Sequence, residues 1–320
     1  MKDLPYVEVS YSIGPIPIDD GRGKEIVTRF SSDIKNNGTF FTDSNGREFL
    51  QRRRDFRPSW PLIVKEPIAG NYYPINAAIY LEDELASMAV LTDRTNGGGS
   101  LMDGSIELMA QRRNLADDDR GVNEPMNETD GGVAPYPPYG DAQRWGNGVI
   151  IRGSYRIMVG KGKCGASLAR SEMDESFAPP LLFVASHSSD ANKTHRVRSS
   201  FSAVRDTLPA NVMLITFKKL YGGNSTDYLI RLGHKYAVDE DEELSQPVHV
   251  DLATLLSGFE LVSAVEMTLT GNQKYDDWIN NKLDWVGSKP IAQSSIGDTN
   301  STVTLQPMEI RTFVVNLKKL

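Results

Sequence analysis

The sequence predicts an all-β fold: a large antiparallel β-supersandwich followed by a smaller C-terminal β-sandwich. Three observations predict it. Short stretches with period-two alternation or continuous β-branched residues recur from one end of the chain to the other. No stretch shows the sustained i, i+3, i+4 spacing of a convincing helix. The loops between the stretches carry hairpin chemistry, and sheets this numerous with little helix to cover them must pack face to face.

Taken in order, the expected strands are 7–13, 25–30, 39–42, 48–52, 75–81, 88–92, 105–111, 149–159, 181–185, 212–220, 227–232, 248–252, 265–269, 302–305 and 311–317. In "DSNGRE", Asn45-Gly46 stands where a type I′ turn needs two residues at positive φ, and "YGGNST" offers Gly222-Gly223 for the same role. "NGGGS" (96–100) lies between two strands and precedes no helix, so it reads as a turn rather than a phosphate cradle. Pro307 sits at a turn between the last two strands. Two polar interruptions break the pattern, at 124–148 and 160–176. They divide the chain into an expected supersandwich, 1–176, and a terminal sandwich, 177–320.

With 320 residues, 39% of them hydrophobic, the chain can bury a sizeable core and is no disordered tail. Its 35 basic against 42 acidic side chains leave it mildly acidic without a basic stripe, which removes nucleic acid as a partner. No apolar run approaches the ~20 residues that span a bilayer, and "MKDLPYVEVS" lacks the apolar centre of a signal peptide, so no membrane partner is expected. Cys164, the single cysteine, can form no internal disulfide. Asn-x-Ser/Thr sequons at Asn37, Asn127, Asn192, Asn224 and Asn300 all fall in expected loops and point to a glycoprotein of the secretory route.

The motifs offer little catalytic chemistry. His187, His195, His234 and His249 are scattered, and none forms the HxH or HExxH spacing that brings two ligands to one metal, so no metal site is expected from this chain. His234 falls on a strand and reads as a satisfied core or edge histidine. GxSxG, GxGxxG and GxxxxGK[ST] are absent. Asp19-Asp20 and Asp117-Asp118-Asp119 are runs of neighbours whose side chains diverge, whereas a glycosidase needs two carboxylates roughly 5 to 10 Å apart. They read as a turn and a solvated loop. Arg52, Arg53 and Arg54 read as strand-end charges pairing with Asp55. Arg112 and Arg113 differ in kind: they end a strand, where a sheet can hold a guanidinium fork in fixed geometry, but they point to opposite faces, so only one can serve a given site.

"GPIPIDDGRGKEIVT", "FTDSNGREFLQRRRDFRPSW", "EPIAGNYYPINAAIYLED", "VLTDRTNGGGSLMDGSIELMAQRRNLADDDRGVNEPMNE" and "LQPMEIRTF" together resemble the C-terminal portion of the lysosomal and vacuolar acid α-mannosidases, glycoside hydrolase family 38, the plant branch above all. The resemblance runs through nearly the whole chain in order. It implies a host enzyme that removes terminal α-linked mannose from glycans with retention, using zinc and an aspartate nucleophile, in a vacuole or lysosome. It also implies that the zinc ligands and catalytic carboxylates lie on an N-terminal α/β catalytic domain, and that this chain starts after it, as a truncated product or processed subunit. That domain is the expected partner, α-mannoside glycans the expected ligand, and the chain alone is expected to be inactive, with no catalytic or metal-ligating residue of its own.

By the same resemblance, "QRRNLADDDRG" turns toward the catalytic domain. Arg113 becomes the expected substrate-facing residue and Arg112 the second choice, with Asp118 and Arg120 bracing the loop through ion pairs. Gln111 stands where a histidine commonly precedes the two arginines, which weakens any role for that position. The tyrosines of "GNYYPIN" read as interface packing. The competing class is a stand-alone carbohydrate-binding or structural β-module. A groove lined by aromatics would mark the binding module, and a broad exposed apolar face would mark a domain interface.

Overall fold

The computed structural model describes residues 5–117, 121, 125–133, 146–177, 179–184, 200–221, 226–283 and 301–320. The chain divides into two compact units, Met1–Leu181 and Leu182–Leu320. The boundary expected at 176/177 falls instead within the last turn of a helix that closes the first unit.

The first unit contains β1 (Val7–Ile13), β2 (Lys24–Ser31), β3 (Thr39–Ser44), β4 (Glu48–Arg53), β5 (Tyr73–Ile75), β6 (Ala78–Glu82), β7 (Ala86–Thr92), β8 (Asn96–Gly99), β9 (Ser105–Arg113), β10 (Glu128–Thr129), β11 (Gly132–Val133), β12 (Ile151–Lys161) and α1 (Gly165–Phe177). A six-stranded sheet runs β1-β12-β7-β6-β3-β4 and a four-stranded sheet runs β2-β9-β8-β5. Every pairing in both is antiparallel. The core between them takes Phe40, Ile79, Leu81, Val90 and Tyr155 from one sheet and Ile75, Ile106 and Leu108 from the other. Burying each such Ile or Leu contributes about 1.5–3 kcal/mol.

Helix α1 was not expected. It covers the opposite face of the six-stranded sheet, where Ala166, Ala169 and Met173 pack against Ala78, Tyr80, Ala89, Leu91 and Met158. This second layer explains why β6 and β7 read as continuous apolar runs: both of their faces are buried. The helix itself escapes notice because its inward stripe is built mainly of alanine, a weak hydrophobic signal. Its first residue, Gly165, lies so close to the Tyr80 ring that a Cβ there would stand 2.1 Å from Tyr80 Cδ2.

The Asn45-Gly46 turn forms as expected. Both residues have positive φ, 53° and 69°, and Arg47 N–H donates to Ser44 C=O at 3.0 Å. The buried Asp43 accepts from Gly46 N–H at 2.6 Å. Its other oxygen accepts from Ala77 N–H (2.8 Å) and Ala78 N–H (3.0 Å). That second clamp breaks the single strand expected at 75–81 into β5 of one sheet and β6 of the other. "NGGGS" is a strand rather than a turn. β8 lies between β5 and β9 so closely that Cβ atoms at Gly98 and Gly99 would meet Glu107 O at 2.5 Å and Asn71 O at 2.3 Å.

The second unit contains β13 (Val212–Lys219), β14 (Asp227–His234), β15 (Val248–Asp251), α2 (Leu252–Leu255), β16 (Phe259–Met267), α3 (Tyr275–Asn280), β17 (Thr302–Leu305) and β18 (Ile310–Lys319). A four-stranded sheet β13-β14-β18-β16 faces the two-stranded β15-β17. Ile230, Leu232, Phe313, Val315 and Leu317 on one side meet Val250, Val303 and Leu305 on the other. The turn at Pro307 forms between β17 and β18, where Glu309 N–H donates to Gln306 C=O. Gly222-Gly223 lie outside the described residues. The strand expected at 181–185 is absent from its described part: Leu181, Leu182, Phe183 and Val184 pair with no strand and are exposed.

Candidate functional site

Strand β9 carries the two arginines, and one irregularity decides where each points. The β2–β9 register runs Thr28↔Leu108 and Val27↔Met109 and then jumps to Ile26↔Gln111, leaving Ala110 as an extra residue on β9. Such a bulge inverts the alternation of faces beyond it. Ile106 and Leu108 point into the core, so an unbroken alternation would turn Ala110 and Arg112 inward next. With the bulge the inward residues are Gln111 and Arg113, and Arg112 turns to the outer face.

The geometry follows. Arg113 is only 9% exposed. Its Nε donates to Asn127 Oδ1 and its Nη1 to Ile16 O, both at 2.8 Å. Asn114 N–H donates to Met126 O at 3.1 Å, so the chain leaving β9 is sewn to the chain returning at 125–129. Gly148 closes the pocket, since a Cβ there would lie 2.6 Å from Arg113 Nη1. Gln111 also turns inward, its amide donating to Val149 O at 2.7 Å. Arg112 stays open on the outer face, its Nη2 3.1 Å from Glu25 Oε1, and the two side chains are 38% and 40% exposed. Of the two arginines, Arg113 is thus the buried one and Arg112 the one whose guanidinium stays open to solvent. Asp118 and Arg120 lie outside the described residues.

The same outer face holds a cluster that the sequence did not disclose. Glu107 is 4% exposed. Arg29, its partner across the ladder, donates from Nε to Glu107 Oε2 at 3.0 Å and closes the fork with Nη2. The Tyr72 hydroxyl donates to Glu107 Oε1. Burial, and after it the Glu107 carboxylate, pushes the Tyr72 phenol far above its ordinary value, so it stays a proton donor. Tyr72 of "GNYYPIN" is thus a polar clamp as well as packing. Gly97 gives its ring room, since a Cβ there would be 3.5 Å from Tyr72 Cδ1. Alternation on β9 gave the only clue, because Glu107 stands between two core residues.

Other expected residues take less eventful places. Arg52, Arg53 and Arg54 do not pair with Asp55. Arg54 bonds Asp103 at 2.8 Å, Arg52 lies 4.3 Å over the Tyr73 ring, and Arg53 lies 5.0 Å over Phe56. Asp55 accepts instead from Asn71 Nδ2 at 2.7 Å. Asp20 sits in a turn and bonds Lys24 at 2.7 Å. His234 is fully buried, with ring nitrogens 3.0 Å from Tyr236 O and 2.9 Å from Gln246 O, a satisfied core histidine as expected. His187 and His195 lie outside the described residues. Among the described residues no three His, Cys, Asp or Glu side chains come together to hold a metal ion. No described helix is long and apolar enough to cross a membrane.

Comparison with known proteins decides the family. Residues 1–120 match the family described as "Glycosyl hydrolases family 38 C-terminal domain", and residues 211–313 match "Glycosyl hydrolases family 38 C-terminal beta sandwich domain". The chain belongs to glycosyl hydrolase family 38, in its C-terminal part. It is 39% identical over 98% of its length to the lysosomal alpha-mannosidase of Bos taurus, covering 30% of that protein. It is 39% identical over 98% of its length to the lysosomal alpha-mannosidase of Homo sapiens, covering 29%. A probable alpha-mannosidase of Arabidopsis thaliana is 40% identical over 99% of this chain, which covers 31% of it. Animal and plant relatives thus stand equally near, and the chain spans about a third of their length. The fold is also shared with an alpha-mannosidase from Enterococcus faecalis, with a TM-score of 0.53 at 14% identity over 91% of this chain and 25% of that one.

Proposed function

We propose that this family 38 chain is the non-catalytic β-portion of a retaining, zinc-dependent α-mannosidase that removes terminal α-D-mannose from glycans in a lysosome or vacuole. The zinc ligands and the nucleophilic aspartate belong to a preceding catalytic portion, which is the chain's partner, and these residues are inactive alone. The observation that carries the reading is a match along 98% of this chain to proteins named lysosomal alpha-mannosidase, of which it spans 30%.

Within that role, Arg112 is the residue that reaches toward the mannoside and Arg113 the anchor that holds its strand end in place. A guanidinium can donate two hydrogen bonds at once to vicinal hydroxyls, and Glu25 fixes its fork without burying it. The loop between β4 and β5 supports a domain interface over a stand-alone sugar-binding module: Phe56, Trp60, Ile63, Val64 and Ile68 are all exposed there, a spread of large apolar side chains rather than an aromatic groove. In the assembled enzyme, Arg112→Ala lowers kcat/KM roughly 10–100-fold, the worth of a charge-assisted bond of about 1.5–3 kcal/mol. Full turnover by Arg112→Ala would remove Arg112 from the site.

A further inference from the structure

Two of the five sequons lie in described residues, and their surroundings are opposite. The Asn37 sequon occupies the turn before β3. Asn36, its neighbour, points inward and does the structural work: its Nδ2 donates to Thr39 O at 2.7 Å and its Oδ1 accepts from Gly104 N–H at 2.7 Å. Asp103 accepts from Gly38 N–H at 2.9 Å and fixes the other side of the turn. Asn37 itself is exposed in the left-handed region, φ 47°, which asparagine tolerates well. The turn is thus held by its neighbours, and the Asn37 amide projects into solvent.

The Asn127 sequon is built into the fold. Asn127 is 5% exposed and its Oδ1 accepts from Arg113 Nε at 2.8 Å. Thr129, the hydroxyl residue of the same sequon, is 8% exposed. Its Oγ1 donates to Gly132 O at 2.6 Å and accepts from Gly131 N–H at 3.2 Å, closing the β10–β11 turn. Both residues that define the sequon are therefore consumed by the anchor under β9.

We infer that Asn37 is a glycan attachment site of this protein, and that Asn127, despite an intact sequon, carries no glycan in any correctly folded molecule. Attachment joins the anomeric carbon of a lipid-pyrophosphate-linked oligosaccharide to the asparagine Nδ2, which loses one proton as the lipid pyrophosphate leaves. At Asn37 the added sugar stands in water and leaves the turn's bonds intact. At Asn127 a branched polar sugar would have to enter a site 5% open, separating Arg113 from its acceptor and leaving a buried guanidinium short of a bond. Glycosylation at Asn127 and closure of the Arg113 anchor exclude one another, so a chain modified there is retained as misfolded.

The inference takes its biological setting from the proposed lysosomal or vacuolar route, but its test supplies that route directly. The full chain is expressed behind a cleavable secretion signal in a eukaryotic host. Secreted and retained fractions are then mapped by mass spectrometry after enzymatic deglycosylation in oxygen-18 water, which converts each occupied asparagine to labelled aspartate. The expected result is label at Asn37 and none at Asn127 in secreted chain, with any Asn127 label confined to the retained fraction. Asn37→Gln then removes one glycan step in mobility. Asn127→Asp, which keeps an acceptor for Arg113, removes none and secretes as the parent does. Label at Asn127 in secreted chain, or an unlabelled Asn37, overturns the inference. Label at the remaining sequons with Asn37 empty does so while leaving the secretory reading intact.

Discussion

The sharpest consequence of the Ala110 bulge is that two adjacent arginines differ greatly in what their loss costs. Arg113→Ala removes two hydrogen bonds from a guanidinium that is 9% exposed and strands Asn127 Oδ1 and Ile16 O without their donor. A hydrogen bond from a charged group contributes about 1.5–3 kcal/mol, so the pair contributes roughly 3–5 kcal/mol after partial relaxation. Arg112→Ala breaks one pair whose members are 38% and 40% exposed, and such a pair is worth about 0–1 kcal/mol. In urea, with a slope of about 2 kcal/mol per molar, the first-unit transition of Arg113→Ala falls by roughly 1.5–2.5 M and that of Arg112→Ala by less than about 0.5 M. Arg113→Lys recovers only part of the loss, because an ammonium cannot reproduce the two directions of the fork. Circular dichroism through the transition reads all three. Equal shifts for the two alanine variants, or an Arg113→Ala shift below about 0.5 M, would refute the assignment of Arg113 as the anchor.

Gly165→Ala gains up to about 1 kcal/mol of helix propensity, yet its Cβ would meet the Tyr80 ring at 2.1 Å. That ring is stacked on Phe41 at 4.5 Å and edged by Phe49 at 5.0 Å, so overpacking prevails and calorimetry shows a net loss of roughly 1–3 kcal/mol. Glu266→Gln unbalances a pair only 8% and 5% exposed, in which Arg311 Nε bonds Glu266 Oε1 at 2.8 Å. The second-unit transition falls by about 3–5 kcal/mol on chemical denaturation. Asp251 caps α2 through Ala253 N–H at 3.0 Å, and the Ser301 hydroxyl above all holds its carboxyl below the usual range, against an opposing push from burial. Because the folded value is depressed, the stabilisation is complete above the unfolded value of about 3.9 and fades as pH falls through the folded one. Asp251→Ala therefore costs about 1 kcal/mol between pH 5 and 7, and the gap from the parent narrows below pH 4 in parallel urea melts.

Legibility in the sequence followed the locality of the cause. β1 and β17 were bounded to the residue, since their alternation is a property of the strand alone. The Asn45-Gly46 turn was legible for the same reason. The split between β5 and β6 was not, because the clamp comes from Asp43, over thirty residues away in sequence. "NGGGS" was misjudged because glycine signals both a turn and a strand approached closely by its neighbours, and only the neighbours distinguish the two. Leu181–Val184 shows the converse: an apolar run is no strand without a ladder to join. At the site, the principle that neighbouring arginines face apart was sound, but which of them is buried depends on the parity of β9. One alanine changes that parity, and bulges leave no mark in composition.

The claim that most needs a direct test is that this chain supports a mannosidase without carrying its chemistry. The measurement is release of p-nitrophenol from p-nitrophenyl α-mannoside, with zinc present, by the purified chain alone and then by the chain combined with the preceding portion of its own enzyme. The expected result is no product from the chain alone and turnover on combination. Turnover by these 320 residues alone would contradict it.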